Sequence, residues 1–118
     1  MEKLLRQTYL YDFYGEFLTD HQKSVYEDVV FNDMSYSEIA KQGGVSRQGV
    51  YDLVKRVDKI LEEYENKLGL VAKYIDAKDK LTGLREMVSS LKDELTDKVL
   101  LDKLSKLDEV AKDLEENF

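Results

Sequence analysis

Ser35-Tyr36-Ser37-Glu38-Ile39-Ala40-Lys41-Gln42-Gly43-Gly44-Val45-Ser46-Arg47-Gln48-Gly49-Val50-Tyr51-Asp52-Leu53-Val54-Lys55-Arg56-Val57 is the stretch that decides the fold. Ser35 with Glu38 three residues on is a capping box, a signal for a helix start. Ile39 and Ala40 end that short helix. Ala40 falls where a second helix must cross closely, so only a methyl fits. Gly43 and Gly44 offer the left-handed conformation that a tight inter-helix turn needs. Val45 is expected to drop into the corner. Ser46 can cap the next helix by accepting from a free backbone N–H. Val50, Leu53, Val54 and Val57 then repeat at helical spacing and predict a buried face. Together these residues spell two helices joined by a sharp turn, the helix-turn-helix unit.

Outward from this unit the chain reads as helix throughout. Residues 2–17 predict a first helix, with Leu10, Phe13, Tyr14 and Phe17 at helical spacing. Tyr9 and Tyr11 widen its apolar face. An aromatic stripe without interleaved Lys or Arg is expected to pack a core or a subunit interface and not to stack bases. Thr19 predicts the cap of a second helix reaching about Phe31, with Asp20 favouring its N-terminus. Val25, Tyr26, Val29 and Val30 should face inward. Asn32-Asp33 makes a turn before Ser35. The third helix spans 36–42 and the fourth starts at Arg47. Ile60, Tyr64 and Leu68 extend the fourth helix to a stop at Gly69, with Gly69 left-handed and Leu70 folding back.

Two Leu-rich stripes follow. Leu81, Leu84, Val88, Leu91 and Leu95 keep a three-four rhythm, and Leu100, Leu104, Leu107, Ala111 and Leu114 keep it two residues out of phase. Thr96-Asp97 between them can cap a new helix. A phase break with a cap favours a helical hairpin over one straight coiled coil. Each stripe is too short to stand alone and must be covered. The expected architecture is all-α: a helix-turn-helix domain over residues 1–69, of the winged-helix or sigma region 4 kind, and a helical extension over 70–118 that packs or dimerises.

Composition narrows the function. The chain has no Cys, hence no disulfide, thiolate zinc site or cysteine nucleophile, and no Pro to interrupt long helices. Its start, Met1-Glu2-Lys3-Leu4-Leu5-Arg6, is charged where a secretion signal needs an apolar run, so a cytoplasmic location is expected. His21 is the sole histidine, and nothing at helical spacing supplies a second metal ligand, so a surface or capping role is expected. Gly43-Gly44 is not followed by the lysine of a phosphate loop. Glu62, Glu63 and Glu65 read as a solvated helix face. No enzyme activity, cofactor, metal or small-molecule substrate is expected.

The net charge is −7, from 18 Lys and Arg against 25 Asp and Glu. That opposes nucleic acid at long range, because phosphate contacts need a basic face. Locally the sign reverses. Between Ser46 and Ile60 stand Arg47, Lys55, Arg56 and Lys59 against Asp52 and Asp58. Base-reading side chains come from the first turns of the second helix of such a unit. Arg47 suits guanine, Gln48 suits adenine and Asp52 suits a cytosine amino group. The candidate nucleic-acid-binding residues are therefore Ser46, Arg47, Gln48, Tyr51, Asp52, Lys55, Arg56 and Lys59. Gly49 is costly here, since glycine within a helix loses about 1 kcal/mol relative to alanine.

Two resemblances follow. Residues 19–61 resemble promoter-reading region 4 of bacterial sigma factors, through Leu18-Thr19, Ser35 to Ala40, Val45-Ser46, Val50 and Arg56. The other sigma regions have no counterpart. Residues 9–70 resemble the YlxM family of small bacterial helix-turn-helix proteins more closely. The match rests on Tyr11-Asp12-Phe13-Tyr14, Leu18-Thr19 with Gln22, Glu38-Ile39-Ala40, Ser46-Arg47-Gln48-Gly49-Val50-Tyr51-Asp52 and Tyr64-Glu65-Asn66-Lys67-Leu68. Gly49 departs from the expected alanine. The resemblance implies a bacterial cytoplasmic accessory or regulatory factor linked to the signal recognition particle. Its implied partners are DNA, the particle's RNA or its GTPase. A homodimer is also expected, because the aromatic first helix and the Leu stripes offer more apolar surface than one small domain covers.

Overall fold

The fold, taken from a computed structural model, is described for residues 1–117. Six α-helices follow in order: α1 (Lys3–Tyr14), α2 (Asp20–Tyr26), α3 (Tyr36–Gly43), α4 (Arg47–Leu68), α5 (Leu70–Glu94) and α6 (Lys98–Asn117). Gly15–Phe17 adds a 3₁₀ turn to α1, and Glu27–Phe31 continues α2 as a π-helical turn. No strand occurs among the described residues. The chain divides into two compact units, Met1–Val71 and a second beginning at Ala72.

Local chemistry sets the boundaries of the first unit. Thr19 and Gln22 form a reciprocal capping box at the start of α2. Ser35 Oγ accepts from Glu38 N at 3.1 Å and starts α3. Gly44 ends α3 at φ 66° and Gly69 ends α4 at φ 63°, both in the left-handed region that only glycine enters without strain. The π turn closes through Asn32 N to Glu27 O at 2.9 Å. Asp33 leaves it at φ 54°, a conformation short polar side chains tolerate.

The core of this unit holds Leu10, Tyr14, Leu18, Val25, Tyr26, Ile39, Val50, Val54, Val57, Leu61 and Val71. Tyr11 stacks on Tyr26 at 5.6 Å and Tyr14 on Tyr64 at 5.8 Å, so the aromatic stripe of α1 packs the core. Three expectations need correction. Phe17 is exposed, lying flat on Tyr64 at 4.9 Å instead of entering the core. Val45 is 48% exposed, because the turn after Gly44 carries it outward. Glu62, Glu63 and Glu65 are not one solvated face. Only Glu63 is exposed, while Glu65 is buried and Glu62 pairs with Arg6.

In the second unit the chain turns back at Leu95–Asp97, and Asp97 Oδ1 accepts from Val99 N and Leu100 N to cap α6. Arg85 on α5 reaches Asp108 at 3.0 Å and Glu115 at 3.7 Å on α6, which makes a hairpin. Val88 and Ala111 are its buried apolar residues. Much of the Leu stripe stays exposed, including Leu84, Leu91, Leu100, Leu107 and Leu114. α5 starts eleven residues before the first Leu of its stripe.

Candidate nucleic-acid interface

Ser46 is the N-cap of α4, its Oγ accepting from Gly49 N at 2.9 Å. A Cβ at Gly49 would stand 3.1 Å from Ser46 Oγ, so a larger residue there needs the hydroxyl to shift by a few tenths of an ångström. The eight sequence-predicted residues, Ser46, Arg47, Gln48, Tyr51, Asp52, Lys55, Arg56 and Lys59, are all exposed. Val50, Val54, Val57 and Leu61 are buried and pin α4 to the core. At 3.6 residues per turn, Gln48, Asp52, Lys55, Arg56 and Lys59 therefore lie opposite that buried stripe. Arg47 and Tyr51 flank it at the start of the helix.

Several of these side chains are held. Gln48 Nε2 donates to Asp52 Oδ1 at 2.9 Å. Lys55 Nζ sits 5.4 Å above the Tyr51 ring, a cation–π contact. Tyr36, at the first position of α3, meets the same ring edge-on at 5.7 Å. Tyr36 was not among the predicted residues. Its only sequence signal was an aromatic at the start of α3, and its partner is fixed by the corner geometry. Arg47, Arg56 and Lys59 join none of the ion pairs among the described residues.

The carboxylates of α4 behave differently. Asp58 is half-buried and accepts from Tyr26 Oη at 2.6 Å and Gln7 Nε2 at 3.1 Å. Burial and that carboxylate push the Tyr26 hydroxyl far above its ordinary value. Glu62 takes a two-pronged bond from Arg6, at 2.6 and 2.7 Å. The Arg6 guanidinium holds Glu62 below the usual carboxylate range. Glu65 accepts from Tyr14 Oη and Val71 N. Three acids of α4 thus turn toward α1, α2 and the start of α5, while its four cations near the N-terminus stay outside. The first turn of α4 holds no acid, so the positive end of its dipole adds to Arg47.

This arrangement can attract an anion and present polar side chains beside it. Among the described residues no group of three or more His, Asp or Glu could hold a metal, and no helix is long and apolar enough to cross a membrane.

The chain matches, over residues 1–117, a family model described as "Putative helix-turn-helix protein, YlxM / p13 like". It is similar to a UPF0122 protein of Bacillus velezensis, 44% identical over 92% of this chain and 98% of the relative. It is similar to UPF0122 protein YlxM of Bacillus subtilis, 43% identical over the same shares. A UPF0122 protein of a Thermoanaerobacter species is 37% identical over 98% of this chain and 96% of its own. With its fold, its helix-turn-helix corner and matches over nine-tenths or more of its residues, the chain belongs to the UPF0122 family of YlxM / p13-like helix-turn-helix proteins.

Proposed function

We propose that this chain is a nucleic-acid-binding regulatory or accessory protein, with the outward face of α4 as its contact surface. One observation carries the reading: α4 sends Asp58, Glu62 and Glu65 inward to bonded partners and leaves Arg47, Lys55, Arg56 and Lys59 outside. The face is therefore more positive than a net charge of −7 suggests. Arg47, Gln48 and Tyr51 would meet bases, with Ser46 capping, and Lys55, Arg56 and Lys59 would meet phosphates. Fluorescence anisotropy of a labelled DNA duplex tests this. Arg47→Ala should weaken binding by roughly 1–3 kcal/mol, and unchanged affinity would remove this face from the contact.

The proposed setting is cytoplasmic, alongside the signal recognition particle pathway, carried by the YlxM resemblance alone. A homodimer belongs to the same proposal. Its support is the exposed apolar side of the hairpin, with Met87, Val99 and Val110 each more than 60% exposed. A dimer would present two α4 faces to paired half-sites. Sedimentation showing a monomer at tens of micromolar would contradict it. The same apolar surface supports a second reading, a protein-binding module that contacts a particle component such as its GTPase, with the helix-turn-helix as scaffold. Salt separates the two: nucleic-acid binding falls steeply with salt, and an apolar protein interface does not.

A further inference from the structure

We propose that Asp52 is a positioning residue that sets Gln48 to read adenine in the major groove of duplex DNA. This rests on α4 being the nucleic-acid contact. The Gln48 carboxamide has two N–H donors and one carbonyl acceptor. One N–H is already committed, because Nε2 donates to Asp52 Oδ1 at 2.9 Å. The carbonyl oxygen and the second N–H remain. That pair matches the adenine edge in the major groove, where N6 donates and N7 accepts. The bond engages one Asp52 oxygen, so in this proposal Asp52 acts through Gln48 and not as the reader of cytosine. Its bond to Gln48 lowers the entropy lost when Gln48 engages a base, as preorganisation does in any interface.

The surroundings fit the same role. Gln48 and Asp52 are both exposed, on the first two turns of α4, one turn apart on one face. Tyr51 beside them is held by Tyr36 and Lys55. A helix bearing such short side chains reaches base edges in the wide major groove of B-form DNA. The deep, narrow major groove of an RNA duplex does not admit it. Asp52 also faces the phosphates as a like charge, so it should lower affinity for every duplex while sharpening choice among them.

Selection from a pool of randomised DNA duplexes, read by sequencing, tests this with the full chain. The wild type should prefer adenine at one position by about 5- to 150-fold. Gln48→Ala and Asp52→Ala should both erase that preference, and Asp52→Ala should also raise affinity for the whole pool. Asp52→Asn keeps an acceptor for Gln48 without the charge, so it should keep the preference while raising affinity. Circular dichroism should be unchanged in all three, since both side chains are exposed. An undiminished adenine preference in Asp52→Ala would overturn the positioning role. Tighter binding of an RNA duplex than of any DNA duplex would overturn the major-groove assignment. Wild-type chain that binds neither would overturn the functional reading beneath both.

Discussion

The Tyr14 hydroxyl lies 2.5 Å from a carboxylate oxygen of Glu65, and both residues are buried. The same carboxylate oxygen accepts from Val71 N at 3.0 Å, and the Tyr14 oxygen accepts from Leu70 N at 3.1 Å. Gly69 has no side chain to cap α5. Two side chains from α1 and α4 satisfy its first N–H groups instead.

Tyr14→Phe should therefore cost more than one exchanged hydrogen bond. It strips one donor from a buried carboxylate and leaves Leu70 N without its acceptor. The expected loss is about 1–3 kcal/mol, read by urea denaturation. Glu65→Gln keeps an acceptor of the same shape and should lose less. A loss in Tyr14→Phe of under about 0.5 kcal/mol, the size of an ordinary surface substitution, would contradict the cap.

Stability should fall at both ends of the pH range, for opposite reasons. Burial and hydrogen bonds to Glu27 and Asp58 raise the Tyr11 and Tyr26 hydroxyls above the ordinary value of 10.0. Their contribution is complete below that value and is lost as pH climbs above it, because the unfolded chain ionises first. Glu62 is held low by Arg6, so its contribution is present at neutral pH and fades as pH falls through the carboxylate range. Denaturation midpoints across pH check both. Tyr26→Phe should flatten the alkaline limb, and Glu62→Gln should flatten part of the acid limb. The Arg6–Glu62 pair is about 40% exposed, so high salt should shrink the acid effect.

Two glycines near the corner should respond oppositely to alanine. Gly44 sits at φ 66°, where a Cβ costs roughly 1–2 kcal/mol whatever the space around it. Gly49 is helical, and its added Cβ meets one atom, Ser46 Oγ, at 3.1 Å. Ser46 is exposed and its hydroxyl can shift a few tenths of an ångström. Gly49→Ala should then gain up to about 1 kcal/mol from helix propensity. Thermal unfolding of the two variants should move in opposite directions, and a loss in both would show that the Ser46 cap cannot yield.

The corner was legible because its signals are local. Ser35, Gly44, Ser46 and Gly69 act on backbone within three or four residues, so order along the chain is enough. The alternation of α4 likewise exposes Val50, Val54 and Val57 as core. What escaped depends on distant partners. Glu65 reads as one more acid until Tyr14, 51 residues away, is brought against it. Phe17 reads as core, but the 3₁₀ turn at Gly15 rotates it onto the surface of Tyr64. The first turns of α5 lack a cap of their own, so their start at Leu70 was invisible. On the proposed contact face, chain order marks the exposed residues of α4. It does not reveal that Gln48 is tied to Asp52 or that Tyr36 supports Tyr51.

The salt dependence of duplex binding tests the central claim, that the outward cations of α4 form a nucleic-acid surface. Wild type and the triple variant Lys55→Ala, Arg56→Ala, Lys59→Ala would be titrated with one DNA duplex across a range of salt. The account predicts binding that weakens steeply with salt, and a logarithmic slope reduced by about one for each cation removed. An unaltered slope and affinity in the triple variant, or no salt-sensitive binding in the wild type, would contradict it.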